Sequence, residues 1–123
     1  SHIAKTYGVK SRVVIEEGYP VLINDVTLTN SLRDNAVDFL GEDKVKNIPQ
    51  LMTAEDFAWY SHKVKSCMYR LGTSNVEKDI VSKQHTPTFD IDEDAMEIGV
   101  GMMVYLAMEE LKIMVETSPL WRL

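Results

Sequence analysis

A single cysteine, Cys67, in a chain of 123 residues excludes an internal disulfide, and with it a secreted disulfide scaffold or a four-cysteine zinc module. This scarcity favours a cytoplasmic setting. Basic residues are also few. Thirteen Lys and Arg stand against nineteen Asp and Glu, a net charge of −6, and nothing denser than the scattered Lys44, Lys46, Lys63 and Lys65 occurs. Without a basic face, nucleic acid held by counterion release is not an expected partner. No run approaches the roughly 18–20 apolar residues that span a bilayer, so no membrane partner is expected either. The opening Ser1-His2-Ile3-Ala4-Lys5 lacks both a methionine and a basic-then-apolar leader. It reads as mid-protein sequence, and Ser1-His2 suits the remnant of an expression tag on a shortened chain equally well.

What is present is ordinary globular material, 45% hydrophobic and 26% charged, with no internal repeat or low-complexity tract. A chain this size buries a core but leaves roughly a third of its unfolded surface exposed, so neighbouring protein can belong to its native surroundings.

Along the chain, Ser1 to Tyr7 suits a helix end, with Gly8 placed for the left-handed residue that follows one. Arg12 to Glu17 reads as a strand, closed by Gly18-Tyr19-Pro20, the candidate domain boundary. Leu28, Leu32, Ala36, Phe39 and Leu40 form a helical stripe over about 26–40, with Asn24-Asp25 to cap it and Gly41 to stop it. Val45 to Ile48 and Cys67 to Leu71 are short strand candidates. Between them Glu55 to Lys65 carries Phe57, Tyr60 and Val64 on one helical face, with Thr53 as N-cap and Asp56 three residues later. Asp92-Glu93-Asp94 supplies acids for the positive end of a last helix dipole, and Ile98 to Met108 then holds no charge, which predicts a helix buried nearly all round. Strands alternating with helices predict an α/β layer architecture.

Few residues offer chemistry. His85 stands in a polar loop stiffened by Pro87, where an imidazole could ligate a first-row metal or simply hydrogen-bond to backbone. Spacing does not decide between these, because no HxxxH or paired cysteine accompanies it. Glu55 and Asp56, placed at a helix start, are accounted for by capping and the dipole alone. Gly99 and Gly101 lie inside a helix, where they permit close packing and cannot cradle phosphate. His2, His62 and Cys67 have no motif around them, and a free thiol usually packs as a small hydrophobe. The methionines, several of them on the last helix, read mostly as core fillers.

Four blocks in order, Gly18-Tyr19-Pro20 with Asn24-Asp25, then Leu51 to Tyr60 (LMTAEDFAWY), Arg70-Leu71-Gly72 and His85-x-Pro87-x-Phe89-Asp90-x-Asp92-Glu93, resemble one family over almost the whole chain. It is that of the metal-dependent amidohydrolases, which includes hippurate hydrolase, N-acyl-amino-acid deacylases and the plant auxin-conjugate hydrolases. The Glu-Asp-Phe-Ala-aromatic-Tyr and His-x-Pro-x-Phe-Asp-x-Asp-Glu blocks are the specific ones.

The resemblance implies a zinc-peptidase-like α/β catalytic domain interrupted by a smaller lid domain that makes a homodimer contact. Residues 1–17 would end the lid, and 18–123 would form the C-terminal portion of the catalytic domain. It implies two divalent metal ions (Zn, Mn, Co or Ni), an N-acyl amino acid or small peptide as substrate, and His85 as the final metal ligand. Glu55 and Asp56 would head an active-site helix, in a supporting or structural role. The family's His-x-Asp segment, Cys/His metal loop, Glu-Glu pair with the catalytic base and further histidine near the lid have no match here. Thr53-Ala54 also stands where Gly or Ser is usual, which affects the shape of the pocket. With one histidine matching the family's ligands and about three protein ligands needed per catalytic metal, this chain alone is expected to be inactive and to hold no metal tightly. The competing reading from another class is a stand-alone, non-catalytic α/β interaction module derived from that fold. A dimerisation piece is disfavoured by how little of the lid is present.

Overall fold

The computed structural model describes residues 2–117, and among them lie four helices: α1 (His2–Thr6), α2 (Val26–Leu40), α3 (Ala58–Ser61) and α4 (Asp94–Thr117). Ser1, the first residue of the expected opening helix and of the tag-like pair, lies outside the described residues. Helix α1 ends as its sequence requires. Gly8 takes φ +65° and donates to Lys5 O at 3.1 Å, while Val9 N–H reaches back to Ala4 O at 3.0 Å, the paired bonds that close a helix on a left-handed residue.

Helix α2 starts and stops where its local signals put it. Asp25 Oδ1 accepts the Leu28 N–H at 2.9 Å, the Thr29 hydroxyl donates to Asp25 O at 2.6 Å, and Gly41, at φ 91°, donates to Val37 O at 2.7 Å. Asp25→Ala is expected to lower stability by about 0.5–2 kcal/mol in a urea melt, since one helix-start donor loses its acceptor. An unchanged midpoint would show that the cap contributes nothing.

The core lies between α2 and α4. Ala36, Met102 and Leu106 are buried together, with Leu32, Leu40 and Val45 packed around them. Phe39 stacks on Tyr105 with ring centroids 5.2 Å apart, and the Ser31 hydroxyl donates to Glu110 Oε1 at 2.6 Å. The two helical glycines permit close packing, as their position predicts, Gly101 against α2 and Gly99 against the segment that carries Leu71. A Cβ on Gly99 would sit 2.7 Å from Leu71 Cδ2, and one on Gly101 would sit 3.2 Å from Phe39 Cζ.

Three expectations are corrected. Helix α4 is not buried all round: Met102 and Leu106 are covered, but Val100 and Met103 are 67% and 62% exposed. Among the described residues α2 is the helix that covers it, so one stripe is packed and the remaining apolar surface faces outward. The helix expected over Glu55 to Lys65 shrinks to Ala58–Ser61, with no side-chain cap from Thr53. Tertiary bonds take its C-terminal part: Ile23 N–H donates to Ser61 Oγ at 3.3 Å, His62 Nε2 lies 2.8 Å from Val21 O, and Asp25 N–H donates to Ser66 O at 2.9 Å.

The third correction concerns the sheet. None of the three expected strands forms a ladder among the described residues, where the one bridge is an isolated antiparallel pair, Asn75 with Ile80. Strand preference is largely a preference for packing against neighbours, and the 12–17 segment lies bare. Val13 and Ile15 are 74% and 86% exposed. At Met68 a side chain takes the place of a neighbouring strand: Asn24 Oδ1 accepts the Met68 N–H and Asn24 Nδ2 donates to Met68 O, both at 2.9 Å. The described fold is therefore helical with irregular connections, and it does not display a layered α/β architecture.

Candidate functional site

The loop carrying His85 leaves the Asn75–Ile80 turn and returns at the start of α4. Its ends are narrowed by Ser82 Oγ and Thr88 Oγ1, 2.8 Å apart, and its tip is turned by Thr86 Oγ1 donating to Lys83 O at 2.7 Å and Phe89 N–H donating to Thr86 O at 3.1 Å. His85 sits at the tip with φ 63°, in the left-handed region that only a few non-glycine residue types enter readily, histidine among them. Its side chain is exposed, and no protein group among the described residues hydrogen-bonds its ring.

Below the loop, Asp92 joins the incoming turn to the outgoing helix. Its carboxylate accepts from Asn75 Nδ2 and from Lys78 Nζ, both at 2.6 Å, and Lys78 Nζ also reaches Asp94 Oδ2 at 2.6 Å. The Asn75 amide, and after it the Lys78 ammonium, holds the Asp92 carboxyl below its usual range. The bonds to Asp92 and Asp94 push Lys78 upward.

The sign of each shift sets a pH window. A lowered carboxyl stabilises the fold above its ordinary value of about 3.9 and stops doing so as pH falls through the lowered value; a raised lysine contributes below about 10.4 and is lost as pH climbs through the raised one. Protection of the Ile80, Phe89 and Asp92 amides is therefore expected to stay flat from about pH 5 to 9, falling in stronger acid as Asp92 is protonated and in stronger base as Lys78 is neutralised. Hydrogen exchange corrected for intrinsic rates measures this, and a loss of protection between pH 5 and 8 would contradict it.

The other sequence candidates take plainer places. Glu55 is half-buried, and its Oε1 accepts the Phe57 N–H at 3.2 Å, so it caps the turn into α3; Asp56 is exposed beside it. Both precede α3 rather than begin it. His62 bonds to the Val21 carbonyl, and Cys67 is half-buried with the Thr29 hydroxyl 3.5 Å from its sulfur. No group of three or more His, Cys, Asp or Glu that could hold a metal occurs among the described residues. Asn75 and Lys78 went unnoticed in the sequence. Their partner Asp92 lies 17 and 14 residues on, beyond any spacing along a helix and outside any hairpin pattern the segment carries, and its acidity is already accounted for by the dipole of α4.

Residues 5–109 match Peptidase family M20/M25/M40, and the chain belongs to that family. It is 36% identical over 89 residues to the IAA-amino acid hydrolase ILR1-like 6 of Arabidopsis thaliana, covering 72% of this chain and 19% of that protein. It is 37% identical over 109 residues to sll0100 of Synechocystis sp., named as a hydrolase, covering 87% of this chain and 28% of the relative. With YhaA of Bacillus subtilis, named as an amidohydrolase, identity is 33% over 94 residues, covering 76% and 24%. The chain thus spans 19% to 28% of the length of these curated relatives. No solved structure matches it significantly. The amidohydrolase resemblance read from the four sequence blocks is borne out. Among the described residues no helix is long and apolar enough to cross a membrane.

Proposed function

We propose that the full-length protein hydrolyses the amide bond of an N-acyl amino acid or small peptide with two divalent metal ions (Zn, Mn, Co or Ni), and that this chain is its C-terminal portion. The observation that carries the reading is His85: an exposed imidazole without a hydrogen-bond partner among the described residues, at the tip of a loop tied to α4, inside one of the family's two specific blocks. Its donor chemistry fits one ligand of a metal centre. The grouped donors needed for the rest are absent among the described residues, so this chain by itself does not fit a two-metal site. When bound, such ions supply hydroxide at neutral pH and polarise the scissile carbonyl. This chain's own contribution is to present the His85 ring at a fixed place, while Glu55 and Asp56 hold the turn into α3 in a supporting role.

Several further points belong to the same proposal. Residues 1–17 end a lid domain whose contact makes a homodimer, and 18–123 form part of a layered α/β catalytic domain. Support comes from the apolar side chains left exposed on Val13, Ile15, Val100 and Met103. A cytoplasmic setting accords with the single half-buried thiol.

The test uses acetyl- and benzoyl-amino acids with the full-length protein, before and after chelation and metal return. Chelator-sensitive turnover is expected; turnover indifferent to metal would sink the reading. The 123-residue chain assayed alone is expected to show neither turnover nor micromolar zinc affinity by calorimetry, because one ligand does not make a site. Activity or tight His85-dependent binding in that sample would instead favour a self-sufficient module.

A further inference from the structure

One carboxylate ties both ends of the His85 loop. Asp92 accepts from Asn75 and Lys78 at 2.6 Å each, and its own N–H donates to Thr73 O at 2.8 Å, so the residue where the loop ends is bonded to the turn where it begins. Asn75 is committed at every polar group. Its backbone N–H and C=O pair with Ile80, its Oδ1 accepts from the N–H groups of Glu77 and Lys78 at 3.0 and 3.3 Å, and its Nδ2 goes to Asp92.

Capping of α4 does not account for this arrangement. The bond from Asp94 N–H to Asp92 Oδ1 is 3.4 Å long, while both 2.6 Å contacts point away from the helix and into the turn. Asp92 is also well covered, with its side chain 13% exposed, unlike Asp94 at 82%. The residue at the loop tip needs outside support, because a left-handed φ on a residue bearing a Cβ persists only where its surroundings enforce it. The side-chain bridge from Ser82 to Thr88 supplies that locally, and the Asp92 latch supplies it at the base.

We propose that Asp92, held by Asn75 and Lys78, is the positioning residue of the His85 loop, setting where the imidazole stands relative to the rest of the active site. This rests on the reading of His85 as a functional group. Outer residues that orient a ligand in this way typically account for about 10- to 100-fold in activity or metal affinity.

The full-length enzyme serves for the test, as Asp92→Ala, Lys78→Met, Lys78→Arg and His85→Asn. Asp92→Ala and Lys78→Met are expected to speed hydrogen exchange at the amides of Ile80, Phe89 and position 92, which close the base and tip of the loop, while leaving the amides of 102–106 in α4 protected. They should lower kcat on an acetyl-amino acid by about 10- to 100-fold with a smaller change in KM. Lys78→Arg, which keeps the ion pair, should restore most of both. Should Asp92→Ala fail to fold, Lys78→Met carries the experiment, since that side chain is half exposed and its bonds run to Asp92 and Asp94 at the surface. Wild-type exchange at those three amides in both latch variants would overturn the proposal, as would exchange raised equally through α4, which marks a merely structural role. Full turnover in His85→Asn would overturn the functional reading of the histidine instead, and the exchange result would then decide the latch alone.

Discussion

In the full-length enzyme, His85→Asn is expected to lose more turnover than the about 10- to 100-fold that follows removal of an outer-shell partner, with one metal site weakened and the fold kept. Asparagine is the informative replacement because the position has φ 63°. Histidine and asparagine both enter the left-handed region more readily than other residues with a Cβ, whereas alanine there adds backbone strain to the chemical loss. His85→Ala is therefore expected to show the same loss of activity with a somewhat lower melting temperature. The core should not notice either change, since the loop is exposed and Ala36, Met102 and Leu106 lie elsewhere. Elemental analysis, turnover of an N-acyl amino acid and a thermal melt on the same samples separate these effects. Full metal occupancy with near-normal turnover would return His85 to a surface loop residue and withdraw the role taken from the family resemblance.

The parts of the fold legible in the sequence are those whose causes are local. Asp25, the apolar stripe and Gly41 determine α2 within one segment, and the structure closes it with bonds spanning three and four residues. Gly8 and α1 are of the same kind. The strands failed because a strand is completed by a partner elsewhere, and Met68 finds only the side chain of Asn24. The length of α3 failed for a related reason, with Ser61 and His62 drawn to the 21–23 segment by contacts about forty residues apart in sequence. At the site, the loop and its histidine were visible but the role was not, because one imidazole serves equally well as ligand or as loop donor. The latch was invisible, since Asn75 and Lys78 acquire meaning only when the chain returns at Asp92.

Leu106→Ala is expected to cost about 2–5 kcal/mol. Leu106 is 5% exposed and shares the centre of the α2–α4 contact with Ala36 and Met102. The outcome should fall toward the lower end of that range if α2 is its only cover. Clefts of about 690 and 400 Å³ both reach Leu106, and a side chain bordering open space leaves less of a sealed void when shortened. A value near the upper end in the full-length protein would mean that other parts of the molecule close those clefts. Met103 provides the control. It is 62% exposed, so Met103→Ala should lie within about 0.5 kcal/mol if that face of α4 stays bare. A loss comparable to that of Leu106 would instead place the opposite face of α4 against a further layer, as the α/β proposal requires. Urea melts of the two variants beside the unsubstituted full-length protein decide the matter. No loss in Leu106→Ala would show that the α2–α4 contact is not the core of this unit.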